Sequence, residues 1–363
     1  MERFLVTGGA GYVGSHLVDL LVRQGAEVVV IDNLRQGHRD ALPHGVVLVE
    51  ADISDASALD AAFALGPFQA VFHFAALSLV GESMRQPMRY LRENAGGALT
   101  LIDACIRHDI TRFVLSSTAN LFSESGDGPI AEDAVIAPGS PYGESKFMIE
   151  RALRWADTCH GMRSACLRYF NAAGACPSGR IGEDHDPETH LIPLVIDAAL
   201  GRRERLTVFG QDYPTPDGTC VRDYVHVCDL AQAHLCALKQ LDKASVTYNL
   251  GTGSGFSVKQ VISAVEQVSR RTVPFKLGGR RAGDPPTLVA ASQMIRSEAG
   301  WMPRFTDLHS IVKTAYDWRL AHPYGYDDKI VPHITRYTAG KPPHAEIIAS
   351  EWRKPSLGAR VAT

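Results

Sequence analysis

Tyr142-Gly143-Glu144-Ser145-Lys146 follows Pro141 and sets a phenol four residues before an ammonium. Residues i and i+4 share one face of a helix, so a helix begun at this proline would point both side chains the same way. A phenol titrates near ~10 and needs help to serve as a base at neutral pH, and a neighbouring ammonium favours the phenolate. An isolated Tyr-x-x-x-Lys is more often a solvated helix face. The residues upstream reverse that preference.

Gly8-Gly9-Ala10-Gly11-Tyr12-Val13-Gly14 follows an apolar run and opens a helical pattern, satisfying both Gly-x-x-Gly-x-x-Gly and Gly-x-Gly-x-x-Gly. Bare glycines let the backbone approach a pyrophosphate, and a helix N-terminus supplies N–H groups and partial positive charge. Gly8, Gly11, Tyr12, Val13 and Gly14 are therefore expected to contact a dinucleotide. The next apolar run, Glu27 to Ile31, ends at Asp32, where a carboxylate accepts from an adenosine ribose and repels a 2'-phosphate. That favours NAD over NADP, although Arg35 nearby could offset the repulsion. Asp52 and Ile53, after a third run, are expected near the adenine amine, with packing or capping as the alternative. A bound nicotinamide cation would further favour the phenolate of Tyr142.

Phe113-Val114-Leu115-Ser116-Ser117-Thr118 is a strand with its polar residues at the C-terminal end, where open α/β sheets place ligands. The Thr118 hydroxyl both donates and accepts, so it can join a sugar hydroxyl to Tyr142 in a proton relay. Capping of the following segment is the plainer role for it.

Positioning these groups requires a particular frame. Apolar runs at Phe4 to Thr7, Val28 to Ile31, Val46 to Glu50, Ala70 to Phe74 and Phe113 to Ser116 alternate with helical patterns, which calls for a parallel sheet covered by helices on both faces. The expected fold is α/β: a Rossmann-type doubly wound sheet over residues 1–172, with a smaller mixed α/β substrate domain over 173–325. Helical patterns lie near Leu191 to Leu200 and Val258 to Arg270. Asp223 to Leu238 reads as a helix and Thr247 to Gly251 as an apolar strand, so the chain is expected to return to the first domain around 223–251. Residues 326–363 are polar and proline-rich and read as a tail.

Composition narrows the function classes. Forty acidic against 37 basic residues give a net charge of -3, with no cationic excess for a phosphodiester backbone, so nucleic acid is not an expected partner. Seven cysteines without a Cys-x-x-Cys pair suggest reduced thiols rather than disulfides or zinc. No apolar run approaches the ~18 residues of a membrane span, and Met1 to Gly8 shows no signal-peptide core, so the cytoplasm is the expected location.

Gly8 to Gly14, Ser116 to Thr118 and Tyr142 to Lys146 together resemble the extended short-chain dehydrogenase/reductase family. Within it the chain is similar to UDP-glucose 4-epimerases, from Phe4 to about Tyr326. The likeness includes His73 to Ala76, Val80 to Ser83, Leu167 to Gly174, Gly182 to Pro193, Asp212 to Leu230 and Arg280 to Asp284. The resemblance implies Tyr142, Lys146 and Thr118 as catalytic residues and adds Asn33, Phe74, Ala75, Asn94, Lys146 and Tyr169 to the NAD contacts. For the nucleotide sugar it implies Thr118, Tyr142, Asn171, His190, Leu191, Phe209, Arg222, Tyr224, Arg281 and Asp284. Arg222 and Arg281 suit a diphosphate and Asp284 the uridine ribose, with surface ion pairs the alternative. A homodimer pairing Arg92 to His108 with Tyr142 to Thr158 is also implied.

The implied reaction removes the O4 proton and the C4 hydride of a UDP-hexose, then returns hydride to the opposite face of the 4-keto sugar. Related dehydratases place an Asp-Glu pair after the strand-end threonine. Ala119-Asn120 stands there instead, leaving elimination without its acid and base. A non-catalytic NAD-binding scaffold would not need the catalytic pair.

Three departures bear on the sugar. Ser78 replaces a common lysine, Asn120-Leu121-Phe122-Ser123 replaces Thr-Val-Tyr-Gly, and Leu288 replaces the tyrosine of strict glucose/galactose enzymes. The last suggests tolerance of N-acetylhexosamines, and a UDP-xylose/UDP-arabinose pair also fits the catalytic groups. Glu183 to His190 concentrates carboxylates and imidazoles, but its spacing on no regular element argues against convergence, so no metal is expected.

Overall fold

Short β-branched runs bounded by glycine and polar residues form the strands, and the amphipathic stretches between them form the helices. The computed structural model describes residues 2–122, 128–281 and 284–326. The first half runs β1 (Arg3–Thr7), α1 (Tyr12–Arg23), β2 (Glu27–Asp32), β3 (Val47–Glu50), α2 (Ala56–Phe63), β4 (Ala70–His73), α3 (Val80–Arg85), α4 (Pro87–Tyr90), α5 (Gly97–Arg107), β5 (Arg112–Thr118), α6 (Pro141–His160) and β6 (Arg163–Tyr169). The second half runs β7 (Asn171–Ala173), α7 (Leu191–Ala199), β8 (Leu206–Phe209), β9 (Val221–His226), α8 (Val227–Gln240), β10 (Val246–Leu250), β11 (Gly255–Ser257), α9 (Val258–Ser269), β12 (Phe275–Gly278), β13 (Thr287–Leu288), α10 (Gln293–Ala299) and α11 (Leu308–Ala321).

Seven parallel strands form the main sheet in the order β10-β6-β5-β4-β1-β2-β3. Alternate residues serve opposite faces: Phe4, Val6, Val28 and Val30 pack with α1 and α8, while Leu5, Val29 and Ile31 pack with α2, α5 and α6. The chain leaves β1 towards β2 and β3, and later builds outward on the other side through β4, β5 and β6. Such a reversal opens a crevice beyond the strand C-termini, here between β1 and β4.

A four-stranded sheet joins β11, β9, β13 and β7, and β8 pairs with β12. Helices α7, α9 and α11 share a separate core with this part. The chain re-enters the main layer twice: α8 and β10 complete it, and Ile295 of α10 with Trp301 packs into the same core.

Two elements differ from expectation. The helix expected from Asp223 begins at Val227. Asp223 to His226 instead end β9, whose Tyr224, Val225 and His226 pair with Asn171, Ala172 and Ala173. His226 then caps α8 by accepting from Cys228 N at 3.1 Å. The helical stretch expected from Arg92 to His108 contains a π turn over Leu91–Gly96 before α5. Of the expected tail, only Tyr326 lies within the described residues, where its hydroxyl accepts from Gly182 N at 2.9 Å. Ser123 and residues 282–283 also lie outside them.

Candidate active site

The glycine turn is built for close approach. Gly8 has φ +70°, and a Cβ on it would lie 2.4 Å from Ala75 N, so it holds the end of β1 against the end of β4. A Cβ on Gly14 would lie 2.2 Å from Gly8 O. Gly11 is the N-cap of α1 with no side-chain cap, and the first turn, which includes Tyr12 and Val13, carries no acid. These are the conditions for an anion at a helix N-terminus.

Asp32 ends β2 and is buried. It accepts from Ala10 N at 3.0 Å and Leu34 N at 2.9 Å, so its carboxylate braces the turn. Burial pushes its carboxyl up despite those donors. Arg35, the group that could have welcomed a 2'-phosphate, is held by Glu93 and lies 3.7 Å from Asp52. Asp52 closes a turn on Ser54 and accepts from Asn33 Nδ2 at 2.8 Å, which joins two expected cofactor residues; Ile53 is buried beside them. Phe74 and Ala75 follow β4, each N–H donating to Thr7 O.

Asn94 lies in the π turn and is buried. It accepts from Leu77 N at 2.8 Å and donates to Leu77 O and Ser145 Oγ, each at 3.0 Å. The irregular turn thus aims one amide at both the strand-end loop and α6. π turns recur at functional sites.

Ser140 caps α6, accepting from Gly143 N at 3.1 Å, with Pro141 in the first turn. Tyr142 and Lys146 are both buried on its inward face. A Cβ on Gly143 would lie 2.2 Å from Asn120 O, so glycine is what lets the start of this helix reach the segment after β5. Burial raises the Tyr142 phenol above its ordinary range, opposed by a hydrogen bond with the Thr118 hydroxyl. Lys146 does not supply the expected downward pull. It donates to Ser116 O at 2.9 Å, and burial lowers it to about 8 against the attraction of Glu150.

Thr118 takes the capping role, its Oγ1 accepting from Asn120 N, and also lies in hydrogen-bond contact with Tyr142. Beside it, Ser116 Oγ lies 2.6 Å from the Tyr169 hydroxyl.

Sequence reasoning missed the support beneath this pair. Glu150, four residues beyond Lys146 on the same face, accepts from Arg168 Nε at 3.0 Å, Arg168 Nη2 at 2.6 Å and Ser117 Oγ at 2.6 Å. All three are buried. The continuation of the i, i+4 row and an arginine inside an apolar strand were the available signals.

The expected sugar-nucleotide residues fall into separate groups. Asn171 pairs with Tyr224 across β7 and β9 and donates to Asp223 O at 2.9 Å. Arg222 is paired with Asp284, so the two balance each other's charge, and Leu288 lies opposite Arg222 in register. Arg281 stacks 4.2 Å over Phe209. Phe122 and Leu288 belong to one apolar cluster, with the Arg168 guanidinium 5.7 Å from the Phe122 ring, an environment with no need of a phenolic hydroxyl. Ser78 is exposed.

His190 caps α7, which Leu191 begins, but its side-chain partners lie in its own loop. That loop corrects the expectation of non-convergence: one donor atom from each of Glu183, His185, Glu188 and His190 falls within 4.8 Å of the others.

Residues 4–251 match the NAD dependent epimerase/dehydratase family. A UDP-glucose 4-epimerase of Halalkalibacterium halodurans is 48% identical over 324 residues, 89% of this chain and 97% of that protein. A crystal structure of a UDP-glucose 4-epimerase, 46% identical, matches with a TM-score of 0.88 over 90% of this chain and 100% of that one. Another, from Stenotrophomonas maltophila with bound NAD and formylated UDP-arabinopyranose, is 38% identical with a TM-score of 0.85 over 89% and 99%.

Proposed function

Because the chain belongs to the NAD dependent epimerase/dehydratase family, we propose that it is an isomerase interconverting UDP-glucose and UDP-galactose at C4. The observation that carries this reading is the contact of the Tyr142 and Thr118 hydroxyls at the end of β5, with Lys146 on the same helical face. The cofactor is NAD, and the glycine cradle, the uncapped start of α1 and Asp32 fit it. Gly8, Gly11, Tyr12, Val13 and Gly14 take the pyrophosphate, Asp32 and Asn33 the ribose, and Asp52 and Ile53 the adenine end. Phe74, Ala75, Asn94, Lys146 and Tyr169 line its remainder. When bound, NAD supplies the hydride acceptor and donor at C4.

Tyr142 moves the O4 proton, and the Thr118 hydroxyl, by donating its hydrogen, orients the phenol and the sugar oxygen toward each other. Lys146, fixed on Ser116 O, presents its remaining N–H donors and its charge to the ribose side of the site. Arg222 and Arg281 face the diphosphate and Asp284 the uridine ribose; Asn171, His190, Leu191, Phe209 and Tyr224 shape the rest. Residues 1–172 with the return through α8 and β10 serve the cofactor, and the part centred on β9 serves the sugar nucleotide.

Leu288 favours a second substrate class, UDP-N-acetylhexosamines, because it is shorter than tyrosine and lies opposite Arg222. Purified protein is to be incubated separately with UDP-glucose, UDP-galactose, UDP-N-acetylglucosamine and UDP-xylose, and the products resolved by chromatography. The expected product is the C4 epimer of the first three. Absence of a 4-epimer from every sugar would sink the proposal.

A homodimer through α5 and α6 is supported by exposed Met84, Met88, Leu99, Met148 and Trp155 on α3 to α6. Among the described residues, no helix is long and apolar enough to cross a membrane. The seven free cysteines are consistent with a cytoplasmic setting.

A further inference from the structure

We propose that Glu183, His185, Glu188 and His190 bind one divalent first-row transition ion of the zinc class, which locks the loop before α7 against the cofactor turn. The proposal shares His190 with the sugar-nucleotide reading, and zinc uptake is measured without any sugar nucleotide, so the two can fail separately.

The four donors surround one point. His190 Nδ1 lies 2.8 Å from Glu183 Oε1 and 3.2 Å from Glu188 Oε1, while His185 Nδ1 lies 3.3 Å from Glu183 Oε1 and 3.9 Å from Glu188 Oε2. Only the contact of His190 with Glu188 Oε1 has hydrogen-bond geometry. Glu183 is only 5% exposed, and its Oε1, with His185 Nδ1 and Glu188 Oε2, is buried without a hydrogen bond. Against the effect of burial, the two carboxylates hold the His190 imidazole protonated, its pKa pushed up to about 10, and a shared cation would take that proton's place while also serving the atoms left without a hydrogen bond.

Charge and donor type select the ion. Once His190 gives up its proton to the ion, two carboxylates with two neutral imidazoles leave a charge of about minus two, which one dication balances. Arg319 offsets them only in part, because its Nε and Nη2 grip Asp197 at 3.0 and 2.6 Å and its Nη1 makes a long ion pair, 3.9 Å, with Glu188 Oε2. Two nitrogens and two oxygens suit zinc, whose bonds of about 2.0–2.2 Å place tetrahedral neighbours roughly 3.4 Å apart. Calcium and magnesium prefer oxygen alone and more of it. Four protein donors close the coordination sphere, so the role is structural.

The loop is already laid over the cofactor side. His185 packs edge-on against Tyr12 of the glycine turn at 6.1 Å. Gln36 Nε2 donates to Asp186 O at 3.0 Å, and His38 Nε2 lies 3.1 Å from Asp184 O. Fixing the four donors would fix the segment that joins Tyr12 to the N-cap of α7.

The test uses untagged full-length protein, dialysed against EDTA and then titrated with zinc chloride against a chromophoric chelator. Metal is counted after gel filtration, and bound NAD is assayed in parallel. Expected are about one zinc per wild-type chain and at least about tenfold weaker binding in His185→Gln and Glu188→Gln, with X-ray absorption showing only nitrogen and oxygen neighbours. Wild type that takes up no zinc overturns the proposal even if the variants fail to fold. Variants that bind as tightly as wild type, or sulfur in the coordination shell, overturn it equally.

Discussion

Asn120 donates twice to Thr118 Oγ1, from its backbone N–H and from its side-chain amide, each at 3.1 Å. A hydroxyl has two acceptor sites and one hydrogen, so filling both sites leaves the Thr118 hydrogen to be given outward, to Tyr142 or to the sugar. Asn120→Ala empties one site and lets the hydroxyl rotate. The expected result is a loss of roughly tenfold in kcat with KM within about a factor of two and NAD content unchanged. A wild-type kcat would show that the amide does not orient the relay.

Tyr142→Phe keeps the ring and removes the acid/base hydroxyl. Turnover of UDP-galactose should fall by about 10^2- to 10^4-fold, while NAD released on denaturation stays at the wild-type level. Near-normal turnover would take Tyr142 out of its role.

Lys146 titrates at about 8 in the folded protein because burial disfavours its charged form. Its ammonium is therefore present below that pH and lost above it. The kcat/KM for epimerisation should fall as pH rises through about 8. Lys146→Arg keeps the charge to far higher pH, so whatever activity it retains should lack that alkaline fall. An unchanged fall in the arginine variant would assign it to another group.

Arg168 and Glu150 form a buried bidentate pair under the catalytic helix. Arg168→Met alone strands a buried carboxylate and should lower unfolding stability by about 3–5 kcal/mol, whereas the double variant with Glu150→Leu should restore most of it. Urea unfolding of the three proteins decides this, and equal stability of the single and double variants would contradict it.

The sheet was legible because four of the five apolar runs ended at glycine or polar residues, and the tight turn after β1 because Gly8 and Gly14 stand where a Cβ would meet backbone. β9 was not, since Asp223 to Leu238 carries a helical pattern while Tyr224 to His226 are claimed by β7, a partner some 50 residues away. The anchoring of Lys146 was hidden for a related reason: spacing puts it on the right face but does not show that one of its donors is held by Ser116 O. The Arg222–Asp284 pair and the meeting of four donors in the 183–190 loop arise from loop paths, and loops carry no periodicity to read.

The place of β10 has a consequence for how the chain is made. Residues 246–250 cover the outer edge of β6. Until they emerge from the ribosome, β6 presents unpaired N–H and C=O groups, a template for the wrong neighbour. A chain stopped at residue 172 should therefore be insoluble although it carries the entire glycine turn, Thr118, Tyr142 and Lys146. One continued past residue 250 should be markedly more soluble, and equal solubility of the two would show that the edge is protected in some other way. For this protein, the last strand to join the cofactor sheet is also its guard during synthesis.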